Sequence, residues 1–137
     1  MKKKKIKVLE IKPMEHPRLC YIEPTMQAFK IAVEAHNIEH GEVEAKRIGK
    51  RVYIIFNKDR FLADLEPNRR IGDDIISGNL YVVAIDKKGI PCSLSDKQIA
   101  KYTLDFYNVE EFDEIDVAEA NINTLMSRLW KDEELNV

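Results

Sequence analysis

The chain has few of the residues that punctuate or cross-link a small protein: five glycines, five prolines, two cysteines and one tryptophan in 137 residues. With so little glycine and proline and no biased tract, collagen-like, linker and low-complexity classes are excluded. Cys20 and Cys92 stand far apart without CxxC spacing, which excludes a zinc knuckle or a disulfide framework and points to reduced structural thiols. An excess of charge is missing too. Twenty-two basic residues against 24 acidic ones leave a net charge of -2, too balanced for binding bulk nucleic acid and too weakly acidic for a nucleic-acid mimic. No apolar run approaches the roughly 20 residues of a membrane helix. The basic start, Met1 to Lys5, leads only into a short stretch alternating with Lys7 and Glu10, which is no signal peptide. A cytoplasmic protein without membrane contact is expected. Absent as well are a Walker loop, a GxGxxG after a strand, a GxSxG and a strand-borne aromatic pair for RNA, so no familiar nucleotide enzyme and no cofactor is expected.

What is present suffices for a folded domain: 45% hydrophobic and 34% charged residues in a chain long enough to bury a core without a metal. Ile6, Val8 and Ile11 mark a first strand with a lysine-rich outer edge, ended by Pro13, and Leu19 to Ile22 a second that pairs with it. Pro24 and Thr25 open a helix in which Met26, Phe29, Ala32 and Val33 recur at helical spacing up to Ala35. Ile38 to Ile48, Val52 to Phe56 and Phe61 to Leu65 read as an antiparallel meander. The run Leu80 to Ile85 is apolar throughout, as a central strand covered on both faces must be. Asp86 to Gly89 turn the chain. Ser95 and Gln98 form a capping box for a helix whose buried stripe is Ile99, Tyr102 and Phe106 and which ends near Asn108. After an acidic link, Glu110 to Asp116, a last amphipathic helix carries Ala118, Ile122, Leu125, Met126 and Leu129 on one stripe, with Trp130 at its edge.

The expected fold is therefore α+β: an antiparallel-rich mixed sheet covered by two helices, plus the C-terminal amphipathic helix. Residues 1–110 form the core domain. Residues 111–137 form an acidic linker and a helix packed on that core or on a partner subunit, which makes a homo-oligomer an open alternative.

Chemistry concentrates in Pro67 to Gly78, read as a long polar loop on a rigid sheet. Arg69 and Arg70 offer planar forks for phosphate or carboxylate, Asn68 and Ser77 amide and hydroxyl partners, and Gly72 and Gly78, flanking Asp73, let a ligand approach the backbone. Two other readings compete: the arginines pair with Asp73 and Asp74 and only staple the loop, or the loop contacts a protein. His36 to His40 matches the HxxEH pattern of inverted zinc peptidases, but Gly41 follows at once and the helical pattern has ended at Ala35, so a turn leaving a helix fits better and no metal site is expected. His16 beside Pro17 shows no partner for a triad. Glu10, Glu23 and the carboxylates from Glu110 to Asp116 read as solvated charge at a helix N-terminus.

Lys7-Val8-Leu9, Pro67-Asn68-Arg69, Gly72-Asp73-Asp74-Ile75-Ile76-Ser77-Gly78 and the helix start Ser93-Leu94-Ser95-Asp96-Lys97-Gln98 together resemble the domain-of-unknown-function family DUF3846, from Ile6 to about Tyr107. The last helix lies outside the resemblance. The resemblance implies a setting in phages and mobile elements, hence a host cytoplasm, but no mechanism. By analogy, small accessory proteins of that kind often counter host defence, and one route is to sequester nucleotide signals such as cyclic ADP-ribose isomers. The leading expectation is thus a non-enzymatic binder of a small phosphate-bearing nucleotide, with Arg69 and Arg70 on phosphate and Asn68 and Ser77 orienting it. The alternatives are a module that inhibits a host enzyme through the acidic linker and last helix, and a hydrolase or lyase that cleaves the nucleotide.

Overall fold

The computed structural model describes residues 4–35, 41–59 and 64–135, with side-chain surroundings as far as Leu129. Strand β1 (Ile6–Ile11) pairs antiparallel with β2 (Arg18–Ile22), and helix α1 (Met26–Ala32) follows, capped by the Thr25 hydroxyl. Strands β3 (Val43–Gly49) and β4 (Val52–Asn57) form a hairpin. A second hairpin, β5 (Pro67–Ile71) and β6 (Asp74–Ser77), leads into β7 (Leu80–Ile85) and the short β8 (Pro91–Cys92). Helices α2 (Asp96–Asp105) and α3 (Glu114–Leu135) end the chain.

The main sheet runs β2-β1-β7-β4-β3, with β8 continuing beside β7 beyond the end of β1, and every described pairing is antiparallel. The continuous apolar run of β7 is explained by its place: it is hydrogen-bonded on both edges and covered on both faces. Leu80, Val82 and Ala84 join Leu9, Ile11, Val52, Ile54 and Phe56 under α2 and the small hairpin, with Ile76, Leu94 and Tyr102. Tyr81 and Val83 join Ile6, Val8 and Ile55 under α1, with Phe29, Val33 and Ala35. The two helices thus cover opposite faces of one α+β sheet. At residue 10, on the α1 face, the buried Glu10 accepts from the Tyr81 hydroxyl at 2.9 Å and from Arg18 at 2.6 Å, so its charge is compensated rather than solvated.

Three expectations need correction. Strand β1 is not an outer edge but lies between β2 and β7, which is why five of its six residues are buried. The meander stops at two strands, because β4 turns its free edge to β7; of the run Phe61 to Leu65, residues 61–63 lie outside the described residues, and Asp64 and Leu65 are in no strand. The segment Pro67 to Gly78 is not a loop but a hairpin, closed by Gly72 and Asp73 between the paired Ile71 and Asp74, with Gly72 at φ +61°. Such two-residue connections favour glycine where φ is positive.

For α3 the expectation left two surfaces open, the core or a partner subunit. The helix exists, but its apolar stripe does not face the core. Ile122, Leu125, Met126 and Leu129 are each about half exposed or more, and the buried residue on the helix is Ala120. Polar contacts hold it: Thr124 donates to Asp74 at 3.2 Å, and Arg128 pairs with Glu44 at 3.3 Å. Full burial of each such apolar side chain is worth roughly 1.5–3 kcal/mol, none of it fully realised within the chain. Among the described residues no helix is long and apolar enough to cross a membrane.

Helix α2 carries the capping box in full, with Ser95 Oγ accepting from the Gln98 amide and Gln98 Oε1 accepting from the Ser95 amide. Ser95→Ala should lower unfolding stability by about 1 kcal/mol in a urea titration, while Asp105→Ala, which removes an exposed pair with Lys101, should change it by less than about 0.5 kcal/mol. Equal effects would mean that the cap does not hold α2.

Candidate functional site

The small hairpin has two sides with opposite chemistry. The register of β5 against β6 slips between Pro67 and Arg69, so that the consecutive residues Asn68 and Arg69 both turn inward. An irregularity of this kind re-aims side chains that strict alternation would send to opposite faces. Asn68, fully buried, donates its amide to the carbonyls of Ile11 and Gly78, both at 2.8 Å, and its Oδ1 accepts from Arg69 at 2.9 Å. Arg69 is 1% exposed. Its Nε and one Nη donate to Phe106 O at 3.3 and 3.1 Å, the same Nη to Glu15 O at 2.7 Å, and the other Nη to Asn68 O and Oδ1. All five guanidinium N–H groups are therefore used. Burial lowers the Arg69 pKa from its ordinary value and the nearby Glu110 opposes that shift, while the fork still carries its charge.

Neither arginine pairs with Asp73 or Asp74. Arg69 spans three chain segments, and Arg70 turns outward with its guanidinium 5.7 Å from the Phe112 ring centre, while its backbone amide donates to Glu110 at 2.9 Å. Gly78, at φ +81°, is buried; a Cβ there would lie 2.6 Å from Leu65, so the glycine serves chain packing. Ser77 is buried opposite Pro67. Of the seven expected ligand residues, Asn68, Arg69, Ser77 and Gly78 thus lie in the protein interior, while Arg70, Gly72 and Asp73 reach the surface.

That surface opens into a cleft of about 750 Å³ between β3, the tip of the small hairpin and α3. Arg70, Asp73 and Asp74 line it from the hairpin, Glu44 and Lys46 from β3, and Asp116, Glu119, Asn123, Thr124 and Ser127 from α3. Lys46 Nζ lies 3.8 Å from where a Cβ on Gly72 would stand, so the lysine reaches the hairpin turn. Two cations therefore meet carboxylates, an amide and two hydroxyls. The helical contributors were legible in outline, since Asp116, Ala120, Asn123, Thr124 and Ser127 share the face of α3 opposite the apolar stripe. Lys46 carried no signal, being one of several exposed charges on an edge strand.

The remaining candidates fall elsewhere. His16 stacks on Tyr107 with ring centres 4.2 Å apart and donates through Nδ1 to the Tyr107 carbonyl at 2.7 Å, which ties the β1–β2 turn to the end of α2. Residues 36–40, the HxxEH match, lie outside the described residues. Cys20 and Cys92 are half-buried and burial pushes both thiols up, which keeps them protonated. Asp113 and Asp116 exchange hydrogen bonds with each other's backbone amides at the start of α3, as residues at a helix N-terminus do.

A model of the family described as Domain of unknown function (DUF3846) matches residues 6–107. No curated protein and no solved structure matches. The matched span holds the sheet, α1, α2 and both hairpins, whereas the α3 wall of the cleft lies beyond it.

Asn68→Ala should strand two buried carbonyls and one Arg69 donor, lowering stability by roughly 3 kcal/mol, and Arg69→Ala by at least as much. Arg69→Lys should not restore it, because an ammonium has three donors and no fork. Urea unfolding measures all three; wild-type stability for Arg69→Ala would leave the arginine free for another task.

Proposed function

The chain belongs to the family of the domain of unknown function DUF3846, and from that premise, which brings no activity with it, we propose that it is a non-catalytic binder of a small phosphate-bearing nucleotide held in the cleft beside α3. The observation that carries this reading is the meeting of Lys46 and Arg70 with a ring of oxygen acceptors in one opening of about 750 Å³. Small-ligand pockets span about 300–1,000 Å³.

The charge balance decides which ligand suits it. Glu44, Asp73, Asp74, Asp116 and Glu119 outnumber the two cations, so a bare phosphate ion meets more repulsion than attraction. A nucleotide brings phosphate together with ribose hydroxyls and a base amine. Its phosphate suits Lys46 and Arg70 at the hairpin tip, and its hydroxyl and amino donors suit the carboxylates, as acidic side chains commonly hold ribose. Asp73, Asn123 and Ser127 orient the rest. Thr124 already donates to Asp74, fixing that part of the wall. Arg69, Asn68 and Ser77 act indirectly, by holding the hairpin that presents Arg70.

On this reading the carboxylates, amide and hydroxyls lining the cleft serve as ligand contacts, and the nucleotide is held intact. Retention of an intact signalling nucleotide is also what a counter-defence sponge in a phage or mobile element requires, and the proposal extends to that role.

Calorimetry with adenosine, inorganic phosphate, ADP-ribose and its cyclic isomers tests the reading. Binding is expected for at least one of the last two classes and for neither adenosine nor phosphate alone. It should fall at least tenfold in Lys46→Ala and in Arg70→Ala. The ligand released by denaturation should have its original mass. No binding across the panel, or unchanged affinity in both variants, overturns the proposal; a cleaved product makes the protein an enzyme.

A further inference from the structure

We infer that the outer face of α3 is a self-association surface, and that its occupant is α3 of a second copy running antiparallel. The inference is independent of the ligand proposed for the cleft, because it concerns the opposite side of the helix. Ile115, Ala118, Ile122, Leu125 and Leu129 follow one another at spacings of three and four, the a and d positions of two heptads. All five are exposed, Ile115 at 75% and Ile122 at 58%.

The seam cannot turn inward without loss. The other face is already engaged, with Ala120 buried, Thr124 bonded to Asp74 and Arg128 to Glu44. The seam is thus fixed outward, in the spacing that a helix of the same pattern complements.

Two observations select a second copy and its direction. The first is charge. Glu114 and Glu119 flank the N-terminal half of the seam, so a parallel pair would set these acids side by side, whereas an antiparallel pair separates them and also opposes the helix dipoles. The second is area. The exposed parts of Ile115, Ile122, Leu125, Met126 and Leu129 amount to roughly 500 Å² per copy, so a two-fold pair removes about 1,000 Å² from water, the lower limit for a specific interface. A seam of two heptads at that limit suits a reversible dimer rather than a permanent one.

Sedimentation of the full chain across a concentration series tests this. A monomer–dimer equilibrium is expected for the wild type, and Ile122→Glu should raise the dissociation constant at least tenfold while leaving the circular dichroism unchanged. Leu129→Glu serves if Ile122→Glu misfolds. Direction is read by oxidative cross-linking, with wild type as control for Cys20 and Cys92. A mixture of Ile115→Cys and Leu129→Cys should give the mixed covalent dimer, and Ile115→Cys alone should not. A wild type that stays monomeric throughout, a dimer insensitive to both glutamate variants, or cross-linking of Ile115→Cys with itself each overturns the inference.

Discussion

A buried arginine whose five donors are all taken is the constraint on which the rest of this structure depends. Arg69 and its neighbour Asn68 tie together four places in the chain: the end of β1 through Ile11, the β1–β2 turn through Glu15, the entry to β7 through Gly78, and the end of α2 through Phe106. Most of these acceptors are backbone carbonyls, two of them on the buried residues Ile11 and Gly78, where an unpaired carbonyl is costly. An internal cation is costly unless compensated, and here a complete set of carbonyl dipoles, with Glu110 nearby, supplies the compensation. His16 stacked on Tyr107 closes the same junction from outside.

This node determines where function can reside. Because the slip in β5 sends Asn68 and Arg69 inward, the next residue, Arg70, must point outward, and the hairpin offers solvent only its tip and one edge. The polar groups that make the segment look like a binding loop thus divide into an interior set that holds the hairpin rigid and an exterior set that α3 completes into a cleft. Rigid support behind exposed polar groups is what precise ligand recognition needs, since a site is only as well defined as the residues that hold it.

Sequence made the sheet readable where burial imposes a pattern. The unbroken run Leu80 to Ile85, the β-branched and aromatic run Val52 to Phe56 and the Ser95–Gln98 box each have one physical interpretation, and each stands in the structure. The hairpin at Gly72-Asp73 was equally available, because a glycine followed by aspartate between Ile71 and Asp74 suits a two-residue turn; the density of charge around it suggested a loop instead. The interior role of Asn68 and Arg69 was not readable. Composition cannot distinguish an arginine that finds carbonyl partners inside from one that remains in water, since the partners come from residues 15 and 106, remote in sequence. Likewise β1 looked like an edge because Lys7 interrupts it, although its neighbours β2 and β7 cover both sides.

Helix α3 exposes a deeper limit of periodicity. A stripe shows which face of a helix is apolar, but not which surface it meets, and here the core takes the opposite, polar face. That choice follows from what the core has left to offer. Glu44 and Asp74 stand at the rim, after the apolar surfaces of the sheet have been used by α1, α2 and the hairpin, so a helix arriving last meets charge and matches it with Arg128 and Thr124. A polar contact of this kind is weak, each bond contributing about 0.5–1.5 kcal/mol, and alone it would leave one wall of the cleft loosely held. Whatever covers the outer stripe therefore also steadies that wall, so that assembly and ligand capture would act on the same helix from its two sides, each strengthening the other through the shared cost of ordering it.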